Sequence, residues 1–239
     1  MKKTIFVTGV TRMNDGFVCI SGIDREAGKF VRPQIHYPER IGIRKEFLLD
    51  ENGKAIIRPL VNVELDFIRP EPKAKFHTED WLINGEVSPR LVSIPTDAEK
   101  RQLLVSYKNK SLEHALADQG RSLVITRCLG VPDVFVEKFD DRLKCRLTFY
   151  DESGDKHERL PVTDANWLAV ARYLWILDCT TVAQRLKSSL LGKEIYLRIG
   201  ITREWQGQCW RQISGVFSIP DWLGGRCFTD YGYEFDDHV

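Results

Sequence analysis

Over the first seventy residues the apolar positions fall into short runs separated by polar turns. Lys3 to Gly9 and Phe17 to Ile23 alternate or run apolar, and Asn14-Asp15-Gly16 parts them. An Asp-Gly pair between two apolar runs is a strong hairpin signal, because such tight turns need residues that tolerate positive φ. Arg25 to Gly28 reads as a second turn leading into Lys29-Phe30-Val31-Arg32-Pro33, where the missing proline N–H predicts the end of pairing. Glu51-Asn52-Gly53-Lys54 reads as another turn, and Leu60 to Ile68, with its β-branched residues, as a strand. The pattern predicts a meander of about five short strands, consistent with a small barrel.

The period then changes. Thr96-Asp97-Ala98-Glu99 has the form of a capping box, and Leu103, Leu104 and Tyr107 behind it predict a helix of about three turns. Ser111 to Asp118 predicts a shorter helix stopped by Gly120. Strand patterns resume at Leu123 to Leu129, Val134 to Phe139, Leu143 to Tyr150 and His157 to Val162. A clear helix follows, capped by Thr163 or Asp164, with Trp167, Leu168, Ala171, Leu174 and Trp175 on one packing stripe. Thr181 to Leu191 predicts a further helix ending at Gly192, and Ile195 to Ile201 and Cys209 to Phe217 two final strands. The organisation expected is a first barrel over 1–75, a helical connector over 76–121, and a second barrel over 122–239 with helices inserted at about 164–191. The class is mainly β with α insertions.

One pattern occurs twice. Residues 9 to 23 read GVTRMNDGFVCISGI, and residues 200 to 216 read GITREWQGQCWRQISGV. Each writes Gly-apolar-Thr-Arg, a polar or aromatic loop, and Ile-Ser-Gly-apolar. Only thirty-six residues follow Arg203. That is too few for a five-stranded barrel, so the second copy must recruit strands from 122 to 162. The repeat is therefore a hairpin shared by two barrels at different points of their circuits, not a tandem duplication. In each copy the Thr hydroxyl can cap the turn, the Arg projects at the rim with five fixed donors, and the Gly permits a bulge or a close backbone approach.

The stretches VTRMNDGFVCISGID…GKFVRP at 10–33 and LRIGITREWQGQCWRQISGVFSIPDWL at 197–223 resemble the dual-OB-domain family of bacterial proteins. The resemblance implies two OB-like barrels bridged by helices. By analogy it also implies a link to nucleic acid, in bacterial defence or nucleic-acid processing, and it carries no catalytic residues with it.

Charge and composition narrow the options. The formal net charge is +1, so no global basic field marks a DNA-coating protein. Residues 1–50 hold nine Lys/Arg against six Asp/Glu, and residues 201–239 hold three against six. Six scattered cysteines form neither CxxC pairs nor zinc-spaced clusters and read as reduced, buried thiols. No apolar window is long enough for a membrane span, and the opening MKKTIFVTGV reads as a first strand and not as an export signal, so the cytoplasm is the expected location.

OB barrels that hold single strands pair a basic groove with exposed aromatic faces. The candidate ligand-binding residues are Thr11, Arg12, Arg32, Lys144, Thr202, Arg203 and Trp205. Two readings stay open for Arg12 and Arg203: contact with phosphate, or pairing with a carboxylate inside the fold. Trp205, in a polar loop, is the foremost stacking candidate, whereas Trp210 and Trp222 read as core. Arg142, Lys144 and Arg146 alternate with Leu143, Cys145 and Leu147, which puts three charges on one sheet face. That face is a binding patch or an ordinary solvated surface. No P-loop, GxGxxG, HExxH or nucleophile elbow is present, so no catalytic residue, cofactor or metal is expected. The expected function is non-enzymatic binding of single-stranded nucleic acid or a nucleotide. An accessory protein that docks a partner is the alternative, and a metal-dependent nucleic-acid hydrolase using Asp221 and Asp230 is the remotest.

Overall fold

The computed structural model describes all residues except 73–75, 118–119, 141, 205–206, 234 and 236–239. The first barrel is built from β1 (Lys2–Arg12), β2 (Phe17–Asp24), β3 (Phe30–His36), β5 (Asn62–Pro70) and β6 (Asp80–Ile83). Two short strands, β4 (Ile41–Arg44) and β7 (Arg90–Ser93), add to its edges. Its circuit runs β1-β2-β3-β6-β5 and back to β1, antiparallel except for the parallel β3–β6 pair. The turn after β1 is the predicted one, with Asp15 and Gly16 both at positive φ.

Helix α1 (Asp97–Tyr107), strand β8 (Lys108–Asn109) and helix α2 (Leu112–Ala117) lead to the second barrel. That barrel holds β9 (Leu123–Phe139), β10 (Arg142–Asp151) and β11 (Lys156–Val162). Helices α3 (Ala165–Leu177) and α4 (Val182–Ser189) follow, and then β12 (Glu194–Ile201) and β13 (Arg211–Ile219). Its circuit runs β9-β10-β11-β13-β12 and back to β9, again with one parallel pair, β11–β13. Taken in chain order, both barrels follow the strand sequence one-two-three-five-four. The shared hairpin is strands one and two of the first barrel, but strands four and five of the second.

The first strand of each barrel is long because it pairs on both sides as it coils around the core. β1 meets β5 with its N-terminal half and β2 with the rest, and a bulge between Val7 and Gly9 bends it. β9 meets β12 through Leu123–Cys128 and β10 through Cys128–Phe139. Two separate strands were expected there, yet the chain stays extended through Gly130 and Pro132 because this bend closes the barrel.

Three further expectations differ. Pro33 does not end its strand: it lies opposite Trp81 in the parallel pair, where the neighbouring Arg32 N–H donates to Glu79 O at 2.7 Å. The ladder takes its donor from Arg32, so the missing proline N–H is not needed there. The closing strand of the first barrel, Asp80–Ile83, lies past residue 75, inside the stretch expected to be helical connector. Helix α1 begins at the predicted capping box, Thr96 with Glu99, but it is more than a bridge. Its Leu104 is fully buried with Phe6, Ile23, Leu60, Ile125, Tyr196, Phe217 and Ile219, an apolar cluster drawn from both barrels. Among the described residues no helix is long and apolar enough to cross a membrane.

Candidate functional site

The two copies of the repeated hairpin meet each other. β1 packs against β13, so closely that a Cβ on Gly215 would lie 2.9 Å from Thr8 O and one on Gly9 would lie 2.2 Å from Arg198 Nη1. Arg198 is fully buried, and burial pulls its guanidinium down to about 10; Nη1 donates to Ser214 Oγ at 2.8 Å. The Thr-Arg ends reach across in opposite directions. Thr11 bridges the backbone at Asp164, and Arg12 N–H donates to Thr163 O at 3.4 Å. From the second barrel, Arg203 Nη2 donates to Asp80 Oδ2 in the first at 3.3 Å. Asp80 is wholly buried, and its other oxygen accepts from Arg32 Nε at 2.6 Å.

Arg32 also donates to Ser122 Oγ at 2.9 Å, and Glu79 accepts from the Ser122 and Leu123 backbone at 2.8 and 3.2 Å. His77 Nε2 contacts Ile201 O at 3.2 Å; burial, together with the charges of Arg32 and Arg203, lowers this histidine to about 4. The result is an ionic seam between barrels. The two threonines of the repeat hold their own hairpins: Thr11 Oγ1 donates to Cys19 O at 3.4 Å, and Thr202 Oγ1 accepts from Trp210 N at 2.8 Å. Of the residues proposed from sequence, Thr11, Arg12, Arg32, Thr202 and Arg203 thus gather at the junction.

Lys144 stands apart from them. It lies on the outer face of β10, between Arg142 and Arg146, while Leu143, Cys145 and Leu147 point into the core. The register places Arg142 opposite Phe139, Lys144 opposite Glu137 and Arg146 opposite Phe135 on β9. Lys144 Nζ sits 3.4 Å from the centre of the Phe139 ring, and Phe139 is 57% exposed. From β11, Arg159 Cζ sits 4.0 Å over the Phe135 ring, and its carbonyl accepts from Arg146 Nη1 at 3.2 Å. Among the described residues no carboxylate lies within ion-pair distance of Lys144 or Arg159. Strands one, two and three of this barrel therefore present cations interleaved with aromatic rings.

Phe135, Phe139 and Arg159 were not singled out from sequence. The period-two spacing of Phe135, Glu137 and Phe139 was a usable signal for a shared strand face. Nothing local marked Arg159, which sits at positive φ (50°) beside a break in the β10–β11 register.

Trp205 lies outside the described residues. Trp210, expected in the core, is 56% exposed because it flanks β13 at the loop end. Trp222 is partly buried as expected, its indole 5.4 Å from that of Trp167 and its Nε1 donating to Val216 O. Asp221 accepts from Leu223 and Gly225 N–H, and Asp230 from Cys227 N–H, so both carboxylates shape turns. Among the described residues no group of three His, Cys, Asp or Glu is placed to hold a metal.

A family model described as a dual OB-containing domain matches residues 3–216. No curated protein matches the chain. Among solved structures, a murine DNA-binding protein bound to double-stranded DNA matches with 8% identity and a TM-score of 0.33, over 91% of this chain and 97% of that one. That likeness is too distant to bear on function.

Proposed function

The chain belongs to the dual OB-containing domain family, and on that premise we propose that it binds single-stranded nucleic acid without chemistry, across the outer face of β9, β10 and β11. The observation that carries the reading is the interleaving of Lys144 and Arg159 with Phe139 and Phe135. Unpaired bases stack on aromatic rings for about 1–3 kcal/mol each, while cations a few ångströms away meet the phosphates. Bases stacked inside a duplex cannot reach such rings. A bacterial defence or nucleic-acid-processing setting is part of the same proposal.

Fluorescence anisotropy with labelled single-stranded oligonucleotides at low and moderate salt tests it. Affinity should fall with salt, Lys144→Gln should lower the log-log salt slope by about 1, and Phe139→Ala should weaken binding by about 1–3 kcal/mol. Absence of salt-sensitive binding at micromolar protein overturns the proposal. Ile176, Leu177 and Leu191, 57–70% exposed near the ends of α3 and α4, favour a second reading, docking of a partner protein. A stoichiometric complex free of nucleic acid, recovered with the product of a neighbouring gene and lost on Ile176→Asp, would establish that reading instead.

A further inference from the structure

A second basic and aromatic site lies on the opposite barrel. The N-terminal end of β1, the β2–β3 turn, the start of β6 and the end of α1 border an open cleft of about 640 Å³. That is within the roughly 300–1,000 Å³ usual for small-molecule sites. Phe30, Trp81 and Tyr107 supply its aromatic surface, and Lys3, Lys29, Lys108 and Arg121 its positive charge. Two carboxylates, Asp24 and Glu79, also line it, but the protein has already engaged both. Asp24 accepts from Lys3 Nζ at 2.7 Å and from the Glu26 and Ala27 backbone, and Glu79 accepts from Ser122 and Leu123. The walls are likewise tied down. Arg121 donates to Asn109 Oδ1 at 3.0 Å, Lys108 pairs with Glu152, and the Phe30 and Tyr107 rings meet edge to face at 6.1 Å.

Two polar groups are left without a protein partner among the described residues: the exposed Lys29 ammonium and the Tyr107 hydroxyl. Both line the cleft, and the turn that carries Lys29 runs beside the Tyr107 hydroxyl. Gly28, at φ 64°, brings the turn that presents Lys29 so close that a Cβ there would lie 3.2 Å from the Tyr107 hydroxyl. Lys3 Nζ lies 4.6 Å from the centre of the Trp81 ring, so a cation and an indole share the same wall.

We propose that this cleft binds a nucleoside phosphate, its base against Trp81 and Tyr107 and its phosphate on Lys29 and the Tyr107 hydroxyl. A flat ring carrying a dianion satisfies both kinds of surface at once, and the pre-formed walls spare the ligand the cost of ordering them. The phosphate can belong to a free nucleotide or to the terminal residue of an oligonucleotide.

Isothermal titration calorimetry with adenosine monophosphate, adenosine, ribose phosphate and a terminally phosphorylated dinucleotide tests the site and separates the two sources. Adenosine monophosphate should bind more tightly than either of its halves. Lys29→Glu should weaken it about tenfold or more and Tyr107→Phe should weaken it less, whereas Lys144→Glu on the far barrel should leave it unchanged. A dinucleotide that binds more tightly than the mononucleotide identifies a chain end as the ligand, and the reverse identifies a free nucleotide. No binding of adenosine monophosphate at millimolar concentration, or equal affinity in Lys29→Glu, overturns the proposal. Oligonucleotides lacking a terminal phosphate report on the Lys144 face alone, so either site can fail without the other.

Discussion

The seam between the barrels and the outer face of the second barrel are made from the same kinds of side chain and do opposite things. At the seam, Arg32 and Arg203 converge on one buried carboxylate, Asp80. On the face, Lys144 and Arg159 meet aromatic rings and, among the described residues, no carboxylate within ion-pair distance. A cation answered by a buried anion is neutralised and fixed, and its field ends at its partner. A cation over a ring keeps its charge available to whatever arrives from solvent. The chemistry of an arginine or lysine here is decided by what the fold puts opposite it.

The seam is most sensitive at Asp80. Asp80→Ala would take Arg203's carboxylate away and leave Arg32 with only Glu79, 3.6 Å off, and it should cost about 3–5 kcal/mol in urea denaturation. A loss below about 1 kcal/mol would show that the seam does not join the barrels. Next comes Gly22, where a Cβ would lie 2.6 Å from Phe6 O, a backbone atom that cannot step aside. Gly22→Val should therefore destabilise by about 1–3 kcal/mol in the same assay. On the face the contrast sharpens: Lys144→Glu should alter stability by no more than about 0.5 kcal/mol while weakening oligonucleotide binding.

The seam also carries a pH dependence. Buried His77 titrates at about 4 in the fold against 6.5 for the free side chain. Between those values the unfolded chain binds more protons, so stability rises with pH across the window and is lost as pH falls through it. His77→Gln should flatten that part of the stability profile measured by thermal melts. An unchanged slope would remove His77 from the electrostatics of the seam.

Much of the architecture was legible in local pattern. The Asp15-Gly16 turn, the Thr96–Glu99 capping box and the α3 stripe with its Asp164 cap appear where the periodicity put them. Such features depend on residues a few positions apart, and the chain carries both partners within one reading window. With only thirty-six residues after Arg203, the second hairpin closes a different part of its barrel, which a count of residues suffices to show. The site was legible in part. The alternation around Lys144 announced an outward cationic row, but Phe135 and Phe139 join it through the β9–β10 register. Arg159 joins it through a third strand, and no local signal encodes a pairing between strands.

What the sequence determined by itself is that this chain makes two small barrels and uses one hairpin twice. Apolar period, turn residues and caps are short-range terms, and they act before any tertiary contact exists. What only the tertiary structure decided is which of the matching arginines serve the protein and which surface is left for a ligand. Arg203 and Asp80 are 123 residues apart, and their pairing follows from two barrels docking along their repeated hairpins. Because a charge reads its nearest neighbours in space and not in sequence, the motif that looked most like a binding signature became the joint. The plainer row on β10 kept its charges facing solvent.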